Sequence, residues 1–413
     1  MTTLQQLIIE RIQQEGPITF AEYMRMALYE PGYGYYVTGP ARMGWEEGDY
    51  YTSTDVSSFF ANCMGRQLYQ FWQKLKCPAP FIVLEQGAGR GDLARGVRAW
   101  AEQDAPDFNL VLNYQTEDIR LGQDAKAHPS SADSTPWHPQ DTSPTSASGP
   151  IPWHPQGVPL LWTDLPRSGR GVAPLVGARH IGDRQAPHVI LSNELVDAFP
   201  VHIVEMRNKH LYEVFVELED GRLCEVLAEQ SSPEVASYLD AYRIPWQSFG
   251  DGWRAEINLD ALRWIEHTAR LLQRHGFILT IDYGDKARAL YTRYRERGTL
   301  TCYFQHHVND QPLARPGRQD ITAHVNFSAL IAEGRRHGLR LNTFTTQHLW
   351  LEGMGIYEEL ERRRASEFAA MDTERSSDRG QMALLRWYNL RQRVMALTDP
   401  AGMGNFKVLI LRR

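Results

Sequence analysis

From residue 81 onward the chain alternates short apolar runs with segments of helical spacing. Strands that alternate with helices in this way favour a parallel sheet covered by helices. We therefore expect an α/β domain over residues 81–413, and Asp92–Ala101 is its first predicted helix. Its predicted sheet has seven strands: Phe81–Glu85, Leu110–Glu117, Pro159–Trp162, His188–Ser192, Phe277–Ile281, Leu339–Phe344 and Phe406–Leu411.

Residues 1–80 have a different pattern. The apolar positions of Leu4–Ile12 fit one face of a helix, and Phe59–Trp72 has helical spacing again. The Gly- and Tyr-rich stretch Pro31–Tyr36 lies between these two helical segments and breaks the helical pattern. The pattern predicts a helical N-terminal extension ahead of the sheet.

Two insertions interrupt the α/β pattern. Residues 124–158 are rich in Pro, Ser, Thr and Ala and contain Pro-Trp-His-Pro-Gln twice. This composition is typical of a low-complexity surface loop formed by a local duplication, and a Trp/His docking or metal segment is the alternative. Residues 201–260 alternate apolar and polar positions, with a hairpin signal at Asp220-Gly221. They predict an inserted antiparallel β subdomain that is either a lid or substrate shelf or a structural extension.

The composition narrows the functional classes. A net charge of −6 disfavours a general nucleic-acid binder. The four cysteines are scattered and form no Cys-x-x-Cys pair, which indicates reduced thiols in a cytoplasmic protein. No apolar stretch is long enough to cross a bilayer, so we expect no membrane association.

A glycine-rich turn follows the first predicted strand, in the sequence Glu85-Gln86-Gly87-Ala88-Gly89-Arg90-Gly91. Glycines between a strand and a helix allow the backbone to approach a nucleotide closely. A dinucleotide fingerprint has its third glycine one residue later, which disfavours a nicotinamide-dependent oxidoreductase. The Glu-x-Gly-x-Gly-x-Gly form resembles motif I of class I S-adenosylmethionine (SAM) methyltransferases. That resemblance implies a SAM pocket built on Glu85, Gly87, Gly89 and Gly91.

The ends of the next two strands also carry acids. In an open α/β sheet the ligand lies beyond the carboxyl ends of the strands. Glu117 ends the second strand, where a carboxylate can accept both ribose hydroxyls, and Asp118 is the alternative for this role. Asp164 follows the third strand and could bind the adenine amine.

The fourth strand leads into Asn193, Glu194 and Asp197. If the chain turns helically here, the two carboxylates share one face. Paired acids beside an apolar wall suit a guanidinium, which is gripped by paired hydrogen bonds. The alternative is a plain helix start, with Asn193 as the N-cap and the acids favoured by the helix dipole.

Six motifs in a fixed order identify a family. Together they closely resemble the MidA family of SAM-dependent methyltransferases, over nearly the whole chain except 124–158. The residue after the strand acid, Gln86, departs from the family pattern, in which an apolar residue is commoner. The motifs are Gly16–Phe20, Tyr29–Tyr36, Gly48–Ser53, the Gly87 turn, Asn193–Pro200 and Asp320–Phe327.

The resemblance implies a Rossmann-like sheet and an enzyme that uses SAM. Mitochondrial members of the family assist respiratory complex I assembly by symmetric dimethylation of an arginine on a complex I subunit. By resemblance we expect a protein substrate with an exposed arginine, and a respiratory-complex subunit is one candidate. The segment from Glu194 to Phe199 also looks like the acidic loop of symmetric protein arginine methyltransferases, which implies catalytic roles for Asn193, Glu194 and Asp197.

The same resemblance implies further positions around the pocket. It places the N-terminal extension, with Thr52, over the cofactor. Asp282 and Tyr283 end the fifth strand and would line the substrate side, and His324 would lie near the substrate mouth. His306, His324 and Asp320 lack metal-ligand spacing, so we expect no metal site.

Two other functions remain open at this level. The chain could be a SAM-binding assembly factor that docks a client, with catalysis weak or lost, or a methyltransferase with a non-protein substrate. The intact glycine turn and Glu194 favour an enzyme.

Overall fold

The computed structural model describes residues 3–38, 58–118, 185–305, 307–372 and 377–413. Its helices are α1 Leu4–Glu15, α2 Phe20–Tyr29, α3 Tyr35–Thr38, α4 Ser58–Lys74, α5 Asp92–Asp104, α6 Pro106–Asn109, α7 Pro233–Ala241, α8 Leu259–Leu271, α9 Ala287–Leu290, α10 Phe327–Arg336, α11 Gln347–Gly353, α12 Ile356–Asp372 and α13 Ser377–Thr398. Its strands are β1 Ile18–Thr19, β2 Phe81–Gln86, β3 Leu112–Glu117, β4 Val189–Asn193, β5 His202–Arg207, β6 His210–Glu219, β7 Arg222–Ala228, β8 Arg254–Ile257, β9 Phe277–Asp282, β10 Gly284–Asp285, β11 Thr301–Phe304, β12 His307–Asn309, β13 Asp320–Thr322, β14 Val325–Asn326, β15 Arg340–Thr346 and β16 Lys407–Arg412.

The main sheet has the strand order β15-β16-β9-β4-β2-β3. Strands β3, β2, β4 and β9 are parallel, while β16 runs antiparallel to both β9 and β15. Six of the predicted strands are thus found within about two residues of their expected bounds. The predicted third strand, Pro159–Trp162, lies outside the described residues. The four parallel strands end at one edge of the sheet, and this edge carries the predicted site.

Helices cover both faces of this sheet. On one face α4 and α5 pack over the strands, and Phe71 stacks on Phe277 at a centroid distance of 4.1 Å. On the other face α8 and α10 pack against Ile190, Ile278 and Leu409. Strands buried on both faces read as near-continuous apolar runs, which explains why β2, β4 and β9 were visible in the sequence.

The inserted region forms a second, antiparallel sheet of β5, β6, β7 and β8. Asp220 and Gly221 join β6 to β7 with φ of +48° and +75°, the left-handed conformations that a two-residue hairpin turn needs. The N-terminal strand β1 pairs with β6, with Ile18 opposite Val216. The start of the chain therefore adds a strand to the inserted sheet.

The N-terminal eighty residues contribute to two separate hydrophobic clusters. Helices α1 and α2 pack with β5 and β6, through residues such as Ile8, Met24 and Val214. Helix α4 packs instead on the main sheet, where Phe60 and Trp350 meet edge to face at 5.9 Å. Among the described helices, none is long and apolar enough to span a membrane.

Candidate cofactor and substrate site

The glycine turn after β2 has a left-handed backbone at three positions. Gly87, Gly89 and Gly91 have φ of +73°, +56° and +74°. The N–H groups of Gly87 and Ala88 donate to the carbonyl oxygen of Glu117 at 2.8 and 3.3 Å. A Cβ on Gly87 would lie 2.8 Å from Cδ1 of Leu195. Glycine is thus required at position 87 both by the backbone conformation and by the space.

Glu85 lies beneath this turn, in the interior. Its Oε2 accepts a hydrogen bond from the hydroxyl of Tyr114 at 3.0 Å. Burial raises the pKa of Glu85 to about 7, against the opposing effect of the Tyr114 hydrogen bond. The carboxyl group is therefore held in the interior by a residue of the neighbouring strand β3.

The structure separates the two candidate ribose acids at the end of β3. Asp118 Oδ2 accepts the backbone N–H of Gly89 at 2.8 Å, so this carboxylate is bound to the turn itself. The side chain of Glu117 is exposed, and its Oε2 accepts from Nε2 of Gln86 at 3.1 Å. Glu117 is the better placed of the two to meet a ligand in solution.

The segment after β4 does not begin a helix, so both predictions of a helical turn here were wrong. Glu194 has a φ of +49°, and its N–H donates to the carbonyl oxygen of Ile281 at 2.9 Å. The left-handed residue turns the chain sharply after the last ladder bond, and a single hydrogen bond from Phe199 to Val196 closes the turn. Because no helix begins at this turn, Asn193 is not an N-cap, and its Nδ2 donates to Oε1 of Glu194 at 3.2 Å.

The two acids of this turn have different environments. Glu194 is half-buried, whereas Asp197 is buried and its Oδ2 accepts the hydroxyl hydrogen bond of Tyr283. Burial raises the pKa of Asp197 to about 6, although the Tyr283 hydrogen bond opposes the shift. The two carboxylates do not form the open, matched clamp that the helical spacing suggested.

Asp282 is fully buried beneath the same turn. Its Oδ2 accepts the N–H groups of Val196 at 2.9 Å and Asp197 at 3.4 Å, and its Oδ1 accepts the N–H of Tyr283 at 2.9 Å. Burial raises the pKa of Asp282, and the nearby carboxylates of Asp197 and Glu194 raise it further. Asp282 braces the turn, and its carboxylate does not reach the surface as a substrate wall would.

Two acceptor atoms of the turn have no donor within the described part of the chain. Oδ1 of Asn193 and Oδ1 of Asp197 are both buried and have no hydrogen-bond partner there. Buried polar atoms are almost always paired in folded proteins. These two atoms flank Glu194 along the chain, so the turn presents acceptors that a donor-rich ligand could satisfy.

The remaining predicted residues are placed as follows. The ring of His324 meets that of Tyr283 edge to face at 5.4 Å. Thr52, Asp164 and His306 lie outside the described residues. Within the described ranges, no group of three or more His, Cys, Asp or Glu side chains could hold a metal ion.

The sequence did not reveal how the site is supported. Trp264 donates from Nε1 to Oε1 of Gln86 at 3.0 Å, across 178 residues of chain. Tyr114 reaches Glu85 from the neighbouring strand. The only available signal was the polar Gln86 at a position where an apolar residue was expected.

Comparison with known proteins decides the family. A family model described as S-adenosyl-L-methionine-dependent methyltransferase matches residues 63–345, more than half of the chain. The chain belongs to this family, the MidA methyltransferases. The resemblance found in its motifs is thereby confirmed.

Curated relatives of this MidA protein extend over most of its length. It is 27% identical over 365 residues to human "Protein arginine methyltransferase NDUFAF7, mitochondrial", which covers 86% of this chain and 74% of the relative. The Drosophila melanogaster homolog is 27% identical over 342 residues, which are 79% of this chain and 69% of the relative. These relatives are similar to the chain at low identity.

A solved structure shares the fold. A protein of Burkholderia thailandensis, crystallised with S-adenosyl-homocysteine, superposes with a TM-score of 0.69 at 23% identity, over 99% of this chain and 92% of that one. S-adenosylmethionine is the cofactor of this MidA protein. The glycine turn with its close approach to Leu195, and the exposed carboxylate of Glu117, fit this ligand.

Proposed function

We propose that this MidA protein transfers methyl groups from SAM to a guanidinium nitrogen of an arginine in a protein substrate. The proposal is carried by one observation: the half-buried carboxylate of Glu194 belongs to the same turn as two buried acceptor atoms, Oδ1 of Asn193 and Oδ1 of Asp197, that have no donor in the described chain. A guanidinium has five N–H donors and no acceptor, so it matches this set of oxygens.

The position of this turn relative to the cofactor supports the proposal. Leu195 packs directly against Gly87 of the cofactor turn, and β4 and β2 are neighbours in the sheet. A group bound at Glu194 would therefore lie beside the cofactor. When both reactants are already held side by side, the transfer step no longer carries the large entropy cost of bringing them together.

SAM, when bound, supplies a methyl group that is already activated on a sulfonium. Glu194 would accept two N–H groups of the arginine, fix the plane of the guanidinium and balance its charge. Asn193 donates to Oε1 of Glu194 and holds this carboxylate in one orientation. Oδ1 of Asp197 is a buried acceptor for a further N–H, and it could receive the proton that the methylated nitrogen loses.

The finer details of the proposal come from relatives and composition. The printed names of the curated relatives include protein arginine methyltransferase. The motifs resemble a family whose mitochondrial members dimethylate arginine symmetrically. We extend symmetric dimethylation to this chain, with a respiratory-complex subunit as one candidate acceptor. From the scattered cysteines we further propose a cytoplasmic location.

The test uses the full chain with tritium-labelled SAM and protein extract from cells that lack it, followed by acid hydrolysis and chromatography of methylated amino acids. We expect label in methylarginine. Glu194→Gln should reduce this label about 100-fold while S-adenosyl-homocysteine affinity stays within about twofold. Glu229→Gln, at an exposed glutamate beyond β7, should behave as the wild type.

Other outcomes assign another function. Label in a different amino acid, or in small molecules only, would contradict arginine as the acceptor and support a non-protein or non-arginine substrate. Cofactor binding without any transfer would support a docking factor. Undiminished transfer by Glu194→Gln would remove Glu194 from the mechanism.

A further inference from the structure

Gln86 links the cofactor site to the core of the molecule. It is the last residue of β2 and only 2% exposed. Its Nε2 donates to Oε2 of Glu117 at 3.1 Å, and its Oε1 accepts from Nε1 of Trp264 at 3.0 Å. A buried amide thus connects an exposed acid at the strand end to a tryptophan on α8.

The orientation of this amide follows from the chemistry of its two neighbours. An indole N–H can only donate, and an ionised carboxylate can only accept. The atom of Gln86 that faces Trp264 must therefore be the oxygen, which leaves the NH₂ group for Glu117. In the opposite orientation the NH₂ group would face the indole N–H, and the amide oxygen would face the carboxylate of Glu117.

The far end of this link is rigid. Trp264 is fully buried on α8, and its ring meets that of Phe199 edge to face at 6.2 Å. Its indole N–H needs an acceptor in the interior, and Gln86 provides one. The main chain of Glu117 is also fixed, because its carbonyl oxygen accepts from the N–H groups of Gly87 and Ala88.

We propose that Gln86 is a positioning residue for the ribose of SAM and acts through the carboxylate of Glu117. By holding Oε2 of Glu117, it keeps an otherwise exposed side chain in one orientation before the cofactor arrives. The carboxylate then meets the ribose hydroxyls without the entropy cost of ordering a free glutamate. This inference depends on SAM being the cofactor, and it is independent of the methyl acceptor.

The test compares two ligands with the full-length protein by calorimetric titration. One ligand is S-adenosyl-homocysteine, and the other is its analogue with a 2′,3′-dideoxyribose. Gln86→Met removes the donor, and Gln86→Glu keeps the shape and the acceptor for Trp264 while it repels Glu117. Both variants should weaken S-adenosyl-homocysteine binding about tenfold, and binding of the analogue by less than about twofold. If only one of them folds, the other still carries the test.

The chain contains a matched control for the tryptophan–glutamine pair. Gln67 on α4 is 5% exposed, and its Oε1 accepts from Nε1 of Trp350 on α11 at 3.0 Å. Gln67→Met should leave both affinities unchanged. An equal loss for both ligands in the Gln86 variants would mean that Gln86 supports the fold alone, and an unchanged S-adenosyl-homocysteine affinity would mean that Glu117 needs no positioning. Either result overturns the proposal.

Discussion

The carboxyl group of Glu85 is buried, and within the described residues its one hydrogen-bond partner is the hydroxyl of Tyr114. One such hydrogen bond does not replace the hydration of an ionised carboxylate, so burial raises the pKa of Glu85 to about 7 from the usual 4.5. In the unfolded chain the group releases its proton near pH 4.5. Folding is therefore opposed by this group at neutral and higher pH, when it must be ionised in the interior.

We expect Glu85→Gln to stabilise the cofactor-free protein in a pH-dependent way. Below pH 4.5 the wild-type group is protonated in both states and the variant should gain little. As the pH rises from about 4.5 through 7 the wild type loses stability. Above that range the free energy of unfolding of the variant should exceed that of the wild type by about 3 kcal/mol. Urea unfolding at pH 4.5, 6 and 8 measures the difference, which would be constant with pH if Glu85 were solvated.

At Gly87 the backbone and the neighbouring side chain act together. Gly87→Ala must adopt a φ of +73° and place its Cβ 2.8 Å from Leu195. We expect a loss of about 2 kcal/mol or more in stability, and a loss of S-adenosyl-homocysteine binding, because the turn must shift. Gly338 has a φ of +82° but nothing within 4 Å of its Cβ position, so Gly338→Ala isolates the backbone strain of about 1 kcal/mol. Equal effects of the two variants would argue against the contact with Leu195.

Among the elements, the turn after β4 depends on a residue from another strand. The carboxylate of Asp282 accepts three backbone N–H groups, two of which belong to Val196 and Asp197. Asp282→Asn keeps the shape but turns one acceptor into a donor that faces an N–H. We expect a loss of about 2 kcal/mol and reduced methyl transfer, since the turn that carries Glu194 would relax.

Two measurements on Asp282→Asn check this expectation: the free energy of unfolding in urea and the turnover number with saturating SAM. The matched control is Asp285→Asn, whose side chain is partly exposed and whose Oδ2 lies 3.8 Å from Nζ of Lys407. This control should stay within about 0.5 kcal/mol of the wild type. Wild-type stability and turnover in Asp282→Asn would show that the turn holds its shape without the carboxylate.

This turn also explains where prediction from the sequence succeeded and where it failed. The carboxyl ends of parallel strands meet at one edge, so apolar runs followed by polar residues were enough to bring Gly87, Glu117 and Asn193 together. The left-handed backbone of Glu194 has no local signal, because a glutamate adopts it only when surrounding contacts impose it. The brace from Asp282 and the link from Trp264 span 86 and 178 residues, beyond any sequence periodicity.

At the scale of the whole molecule, the N-terminal segment joins two clusters. Helices lie at Leu4–Glu15 and Ser58–Lys74, where the apolar periodicity indicates them, but the periodicity could not predict their partners, since an apolar stripe does not specify the surface that it meets. Helices α1 and α2 pack with the inserted sheet, whereas α4 packs on the main sheet. Strand β1 adds backbone pairing between the start of the chain and β6.

The two clusters should open separately in the native protein. Val214→Ala creates a cavity in the cluster that α2 shares with β5 and β6, and it should cost about 1–3 kcal/mol. Native-state hydrogen exchange should then accelerate together in α2, β5 and β6, while the amides of β2 and β9 remain as protected as in the wild type. Val83→Ala, equally buried but in the main-sheet cluster, should give the opposite pattern. If both variants accelerated exchange equally everywhere, the molecule would open only as one unit. Separate opening would instead allow the N-terminal helices and the inserted sheet to move as one body relative to the cofactor sheet.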